Sequence, residues 1–243
     1  MNNYVSLENF TFFFRQETNV FFDHLSLKID KPGLIFIVGK NGVGKSTFFR
    51  ILQGVIHSQE QCSGLLQIKD QIYNLAQSYD RNRLHNASRI LHQSFDSMLV
   101  SKFTGFENLA FAKFHHNPDL SLVHVKRNVP SFMHLFNIPL DRQVALLSGG
   151  QRQMLALVMV TQKPIDLLLL DEPTAALDSK NSDYVMQGVR KLAEERNICV
   201  ICVSHDLDLV KNHADYVVTI AEDNNHKKTF DVQVSNRSLS QIL

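Results

Sequence analysis

The run Gly39-Lys40-Asn41-Gly42-Val43-Gly44-Lys45-Ser46-Thr47 fits the pattern G-x-x-x-x-G-K-[ST] in full. That pattern describes a cradle for phosphate. Its glycines let backbone N–H groups turn inward around β- and γ-phosphates, a following helix directs its positive end at them, and Lys45 adds a mobile ammonium charge. Ser46 supplies a hydroxyl ligand for Mg²⁺, and Thr47 can donate to an α-phosphate. The bland alternative is a glycine turn with an exposed lysine. It does not call for the apolar run Leu34 to Val38 before the loop and the helical stretch from near Ser46 after it, and the sequence has both.

A second constellation is Leu167-Leu168-Leu169-Leu170-Asp171-Glu172, an apolar run that ends abruptly in two carboxylates. In a buried strand, such an end opens onto a ligand crevice. Successive side chains diverge, so Asp171 can hold Mg²⁺, through water, while Glu172 polarises the water that attacks a γ-phosphate. The competing reading is that the two acids merely cap the turn before Pro173.

The third constellation, Leu147-Ser148-Gly149-Gly150-Gln151-Arg152-Gln153, opens a helix with a serine and two glycines. That is a second anion-binding helix start. One γ-phosphate is not easily held by both starts within one chain. Head-to-tail pairing of two copies, each completing the other's site, is the economical geometry, and an isologous dimer permits it.

These residues need a scaffold. Val5 to Phe14 and Phe21 to Ile29 are β-rich and flank the polar turn Gln16-Glu17-Thr18-Asn19, which predicts an antiparallel hairpin. Pro32-Gly33 breaks the chain before Leu34 to Val38, a strand covered on both faces. Further strands are expected at Leu167 to Leu170, Ile198 to Val203 and Tyr216 to Ile220. A helix is expected from Ser179 to Glu195, with Val185, Val189 and Leu192 on one face. Such alternation implies a mostly parallel sheet wrapped by helices. Between Ser94 and Thr161 the composition shifts to Phe and His, with Pro118, Pro130 and Pro139 as breaks, and no strand-like run stands out. The expected organisation is a single α/β domain over 1–243, with 1–93 and 162–243 as the core and its N-terminal antiparallel β subdomain, and 94–161 as an inserted helical subdomain. Residues 221–243 are weakly patterned and predict a peripheral hairpin or tail.

Bulk properties narrow the partners. The 243 residues carry a formal net charge of +1 without long runs of one sign, so nucleic acid is not expected as a partner. Apolar stretches fall far short of the roughly 18 residues that read as a membrane span. Met1-Asn2-Asn3-Tyr4 has neither the basic start nor the apolar block of a secretory signal, which predicts a cytosolic chain. Cys199 and Cys202 form a C-x-x-C, but within Ile198 to Val203 they point to opposite faces of a buried strand. Two small core hydrophobes are expected there, with no redox or zinc pair.

With these motifs assembled, the chain resembles an ATP-binding-cassette (ABC) nucleotide-binding domain, built on a P-loop NTPase core, from about Val5 to Ile220. Ser148-Gly149-Gly150-Gln151 is similar to the family's signature motif. The resemblance implies that Ser148 and Gly150 contact the γ-phosphate of ATP held by the opposite protomer. Ala175-Ala176-Leu177-Asp178 resembles the D-loop, with Asp178 passing contacts across the dimer. His205 resembles the switch histidine that bonds the γ-phosphate and positions Glu172. Gln93 resembles the Q-loop glutamine that meets Mg²⁺ and the attacking water, with His92 and Gln151 as neighbouring competitors. Phe14 aligns with the aromatic that stacks on adenine, although core packing competes as the role of any of Phe12, Phe13 and Phe14. One departure is Met154 to Val160, apolar where the family usually carries arginines.

The resemblance implies an ATPase that uses ATP and Mg²⁺, closes as a head-to-tail dimer, and drives a separate membrane-spanning permease from the cytoplasmic face of the membrane. Importers, with a solute-binding protein as a further partner, are the expected class. The alternatives are a relative acting on ribosomes or DNA, and an ATP sensor with little turnover. The sensor would be expected to lack Glu172 or His205, and this sequence has both.

Overall fold

The computed structural model describes residues 4–15, 20–114, 129, 133, 138–175, 177–222 and 228–234. It divides into two compact units, one formed by 1–89, 166–170 and 199–243, the other by 90–165 and 171–198.

The first unit holds an antiparallel sheet in the order β2-β1-β4-β5. Strands β1 (Val5–Phe14) and β2 (Phe22–Ile29) pair antiparallel as the expected hairpin, and the turn at 16–19 lies outside the described residues. Strands β4 (Glu60–Ile68) and β5 (Gln71–Asn74) complete the sheet. The sequence pattern hardly announces them, because β4 breaks its alternation at Gly64 and buries the carboxylate of Glu60. That carboxylate is matched by Arg50 of helix α1 (Lys45–Leu52), which donates two hydrogen bonds of 2.6 Å, and by the His57 N–H at 2.8 Å. A bidentate, charge-assisted pair of this kind makes an acid tolerable inside.

The second sheet has the order β10-β9-β3-β8-β7-β6. Strand β3 (Leu34–Val38) runs parallel to β8 (Cys199–Val203) and β9 (Tyr216–Glu222), and every residue of β3 and β8 is buried. Burial on both faces explains why these strands read as continuous apolar runs. Strand β10 (Lys228–Val234) pairs antiparallel with β9, so the start of the C-terminal stretch is a hairpin; residues 223–227 and 235–243 lie outside the described residues. Strands β7 (Leu167–Asp171) and β6 (Ser88–Leu91) complete the order. Helix α2 (Ser78–Ala87) buries only Leu84, too little for a legible apolar face. A small apolar cavity among Val5, Leu27, Ile35, Phe48, Leu66 and Val218 marks where both sheets and α1 meet.

The second unit is helical. Helix α3 (Gly105–Phe114) packs on α4 (Gly149–Val160), which packs on α5 (Ser179–Arg196). Helix α4 is buried from Gln153 to Val160. Its apolar residues at 154–160 thus fill a core, which accounts for the departure from an arginine-bearing stretch. The expected insertion at 94–161 falls inside this unit, which also takes in 171–198; Pro118 and Pro130 lie outside the described residues.

All three cysteines are free and buried. Burial pushes the Cys62 and Cys199 thiols up to about 12 and the Cys202 thiol higher still. None is a thiolate at neutral pH, which leaves the C-x-x-C as packing.

Candidate functional site

In the first unit, β3 delivers the chain to Gly39 and α1 begins at Lys45, so the loop closes between a fixed strand and a fixed helix. The Lys45 side chain is buried and donates hydrogen bonds to the Gly39 and Lys40 carbonyls, at 2.7 and 3.0 Å. These bonds hold the loop curled around its own lysine. Lys40, Asn41, Gly42 and Ser46 are exposed, Val43 is buried, and Thr47 is half-buried.

Two glycines are demanded by packing. A Cβ on Gly39 would lie 2.4 Å from the Ile220 carbonyl oxygen of β9. Gly44 has φ +110°, and a Cβ there would lie 2.6 Å from Phe21 Cε1 and 2.9 Å from Phe22 Cζ. No L side chain fits either place without moving its neighbours. These contacts show that the Phe21 and Phe22 rings stand against the loop. Phe14 is half-buried, edge-on to Phe12 at 5.1 Å and to Phe21 at 5.5 Å. Phe21 stands in no motif, and only the β1–β2 pairing brings it forward.

His205 follows β8. The buried Ser204 hydroxyl accepts a hydrogen bond from the Asp206 N–H at 3.1 Å, and Asp206 caps α6 (Leu207–His213) by accepting from the Leu209 N–H at 3.0 Å. This tight turn leaves His205 exposed at the strand end.

In the second unit, Asp171 ends β7 and Glu172 follows in the left-handed region, φ +49°. For a residue with a Cβ that conformation costs about 1 kcal/mol or more, and such strain concentrates at functional positions. It sends Glu172 out of the strand direction that Asp171 keeps. His92 Nδ1 stands 3.7 Å from Asp171 Oδ2, and Gln93 beside it is exposed.

Ser148 caps α4 through a reciprocal box: its hydroxyl accepts from the Gln151 N–H at 3.3 Å, while the Gln151 side chain accepts from the Ser148 N–H at 3.0 Å. This satisfies helix donors locally and fixes the entry of the chain. Asp178 caps α5, accepting from the Asn181 N–H at 2.9 Å and from its amide at 2.7 Å. Those bonds, the backbone one first, hold the Asp178 carboxyl below the usual carboxylate range. Ala176 of the same stretch lies outside the described residues. The two helix starts are neighbours: a Cβ on Gly149 would lie 3.3 Å from Leu177 Cδ2, and one on Gly150 would lie 3.6 Å from Asn181 Oδ1.

The candidate residues therefore fall in two groups. Phe14, Gly39 to Thr47 and His205 belong to the first unit; Gln93, Ser148 to Gln151, Asp171, Glu172 and Asp178 belong to the second. Among the described residues no three His, Cys, Asp or Glu side chains cluster as a metal cage. The Ser46 hydroxyl of the first unit and the Asp171 carboxylate of the second are each a hard oxygen of the kind that Mg²⁺ takes alongside waters and phosphate oxygens.

The sequence profile of the family described as ABC transporter matches residues 22–175, a span that contains the phosphate loop, the Ser148 helix start and both carboxylates. The chain is 32% identical over 235 residues to the tyrosine transport ATP-binding protein of Clostridioides difficile (strain R20291), covering 93% of this chain and 91% of that protein. It is 29% identical over 224 residues to the molybdate import ATP-binding protein MolC of Haemophilus influenzae, covering 92% and 81%. Its fold is similar to that of cbiO1 from Clostridium perfringens, described as part of the ABC transporter complex cbiONQ. The TM-score is 0.78 over 100% of this chain and 92% of that one, at 22% identity.

Proposed function

The chain belongs to the ABC transporter family and is an ATP-hydrolysing subunit of such a transporter; from that premise we propose that two copies sandwich ATP between one chain's phosphate loop and the other's Ser148 helix start. One observation carries this. Gly39 and Gly44 of the phosphate loop are required by the chain's own packing, whereas Gly149 and Gly150 open a helix where a Cβ meets only a flexible leucine tip at 3.3 Å or ordinary contact at 3.6 Å. Glycine in a helix costs about 1 kcal/mol relative to alanine. A pair of them without need in their own chain fits close approach by a ligand bound elsewhere.

In the proposed site, backbone N–H groups from Lys40 to Gly44 and the Lys45 ammonium grip the β- and γ-phosphates, Thr47 meets the α-phosphate, and Phe14 stacks on adenine. Ser46, Asp171 and Gln93 would hold Mg²⁺, which when bound neutralises phosphate charge. Glu172 polarises the attacking water, and His205 bonds the γ-phosphate and positions Glu172. Ser148, Gly149, Gly150 and Gln151 of the opposite copy reach the same γ-phosphate, with Asp178 at the dimer seam. ATP then favours the closed pair because its γ-phosphate touches both copies only there, the differential affinity that any ligand-driven closure needs.

No helix among the described residues is long and apolar enough to cross a membrane. In this reading closure acts on a separate permease from the cytoplasmic face of the membrane, through Gln93 and the helical unit. Import, with a solute-binding protein delivering the cargo, is supported by relatives such as the molybdate import protein.

The test is Glu172→Gln, assayed by phosphate release and by size-exclusion chromatography with ATP. Turnover is expected to fall about 10² to 10⁴-fold, the usual worth of general-base assistance, and an ATP-bound dimer to accumulate. Hydrolysis at the parent rate would remove Glu172 from the mechanism.

A further inference from the structure

Resting on the ATPase reading, we propose that Phe21 forms a second aromatic wall for the nucleoside part of ATP beside Phe14, and that Lys228 of strand β10 is the positioning residue that holds this ring. Phe21 abuts the phosphate loop at Gly44, where its ring leaves no room for a Cβ. The ring is edge-on to Phe22 at 4.8 Å, to Phe14 at 5.5 Å and to Phe12 at 6.1 Å. The Lys228 ammonium lies 3.9 Å from its centroid.

Lys228 is itself constrained. Its side chain is only 11% exposed and its ammonium is 3.9 Å from Glu222 Oε2. Its strand is fixed by Phe230, which packs against Phe48 of α1 at 4.9 Å and Phe22 at 5.8 Å. With Glu222 beside it and a ring beneath it, Lys228 is placed to polarise an aromatic face; its charge is already shared before any phosphate arrives. Phe21 remains half-buried, so part of the ring is left for a ligand. A flat, pre-positioned apolar surface beside a phosphate cradle suits a base and ribose, and a ring held in advance loses little freedom on binding. The C-terminal hairpin thus becomes part of the nucleotide site.

The experiment measures equilibrium binding of MgATP and of inorganic tripolyphosphate to the full chain and to Phe21→Leu, Lys228→Met and Lys228→Arg. Phe21→Leu is expected to weaken ATP about 3- to 10-fold, and Lys228→Met about 2- to 5-fold. Tripolyphosphate should change by less than about twofold in both, since it lacks the nucleoside, and Lys228→Arg should restore ATP affinity. Equal weakening of ATP and tripolyphosphate would mean that the residues only support the loop, and overturns the proposal. Unchanged ATP affinity in both Phe21→Leu and Lys228→Met, in a parent chain that binds ATP, overturns it while leaving the ATPase reading intact. A parent chain that fails to bind ATP overturns both.

Discussion

The phosphate loop and the Ser148 helix start are both glycine-bearing anion sites, yet they relate to their own fold in opposite ways. At Gly39 and Gly44 the glycine is needed because Ile220 and Phe21 press against the backbone, at 2.4 and 2.6 Å from a hypothetical Cβ. At Gly150 the nearest contact would be an ordinary 3.6 Å, and at Gly149 only the tip of the Leu177 side chain, at 3.3 Å, would have to give. The loop is curled around Lys45 and anchored through α1 by the Arg50–Glu60 pair, with Gly39 and Gly44 held against their neighbours, whereas the helix start is capped by Ser148 and Gln151 and its two glycines meet no backbone at close range. A site finished by its own chain stabilises that chain; a site that keeps room is shaped for something that arrives.

The largest effect is expected where the loop is anchored. Glu60→Ala leaves the half-buried Arg50 without its carboxylate, and chemical denaturation should show a loss of about 3 kcal/mol. The same pair sets a pH dependence. Burial pushes the Glu60 carboxyl up, but the Arg50 hydrogen bonds and the His57 N–H outweigh it, so its pKa lies below the ordinary 4.5. A lowered acid pKa in the folded chain contributes stability fully above the unfolded value, lost as pH falls through the folded one. Thermal unfolding followed from pH 6 downward should therefore steepen below about 4.5 in the parent, and Glu60→Gln should flatten that fall.

Gly150→Ala tests the other side of the comparison. ATPase activity is expected to drop about 100-fold, as the added methyl keeps the γ-phosphate from the backbone donors, an effect on the scale of losing one such donor, while the unfolding midpoint without nucleotide stays put or rises by up to about 4 °C. A parallel fall in stability and activity would erase the distinction between the two glycine pairs. Gly44→Ala sharpens it from the loop side. Strain against Phe21 and the left-handed backbone should cost about 1–3 kcal/mol and lower the midpoint even without ATP. A stable Gly44→Ala chain would show that the loop glycine, too, answers only to ligand.

Within the second sheet, the strands that read clearly from sequence, β3, β7, β8 and β9, are buried along most of their length, because continuous burial writes a continuous apolar run. Strands β4 and β5 and helix α2 were hidden for a matching reason: Glu60 is an inward acid made acceptable by Arg50, and α2 offers the core only Leu84. At the site, the carboxylates, the lysine loop and the helix cap were legible because each is a local arrangement of residue types. Phe21 and the approach of His92 to Asp171 were not, since both depend on how separate segments meet. The left-handed backbone of Glu172 was equally silent, because glutamate has no preference for that conformation.

By itself the sequence determined that a strand, a glycine loop with lysine, and a helix would cradle phosphate, because the chain's immediate neighbours dictate that geometry. Only the tertiary structure decided which glycines the chain needs for itself and which rings stand against the loop. Those answers rest on Ile220, Phe21 and Leu177, atoms distant in sequence from the glycines they meet.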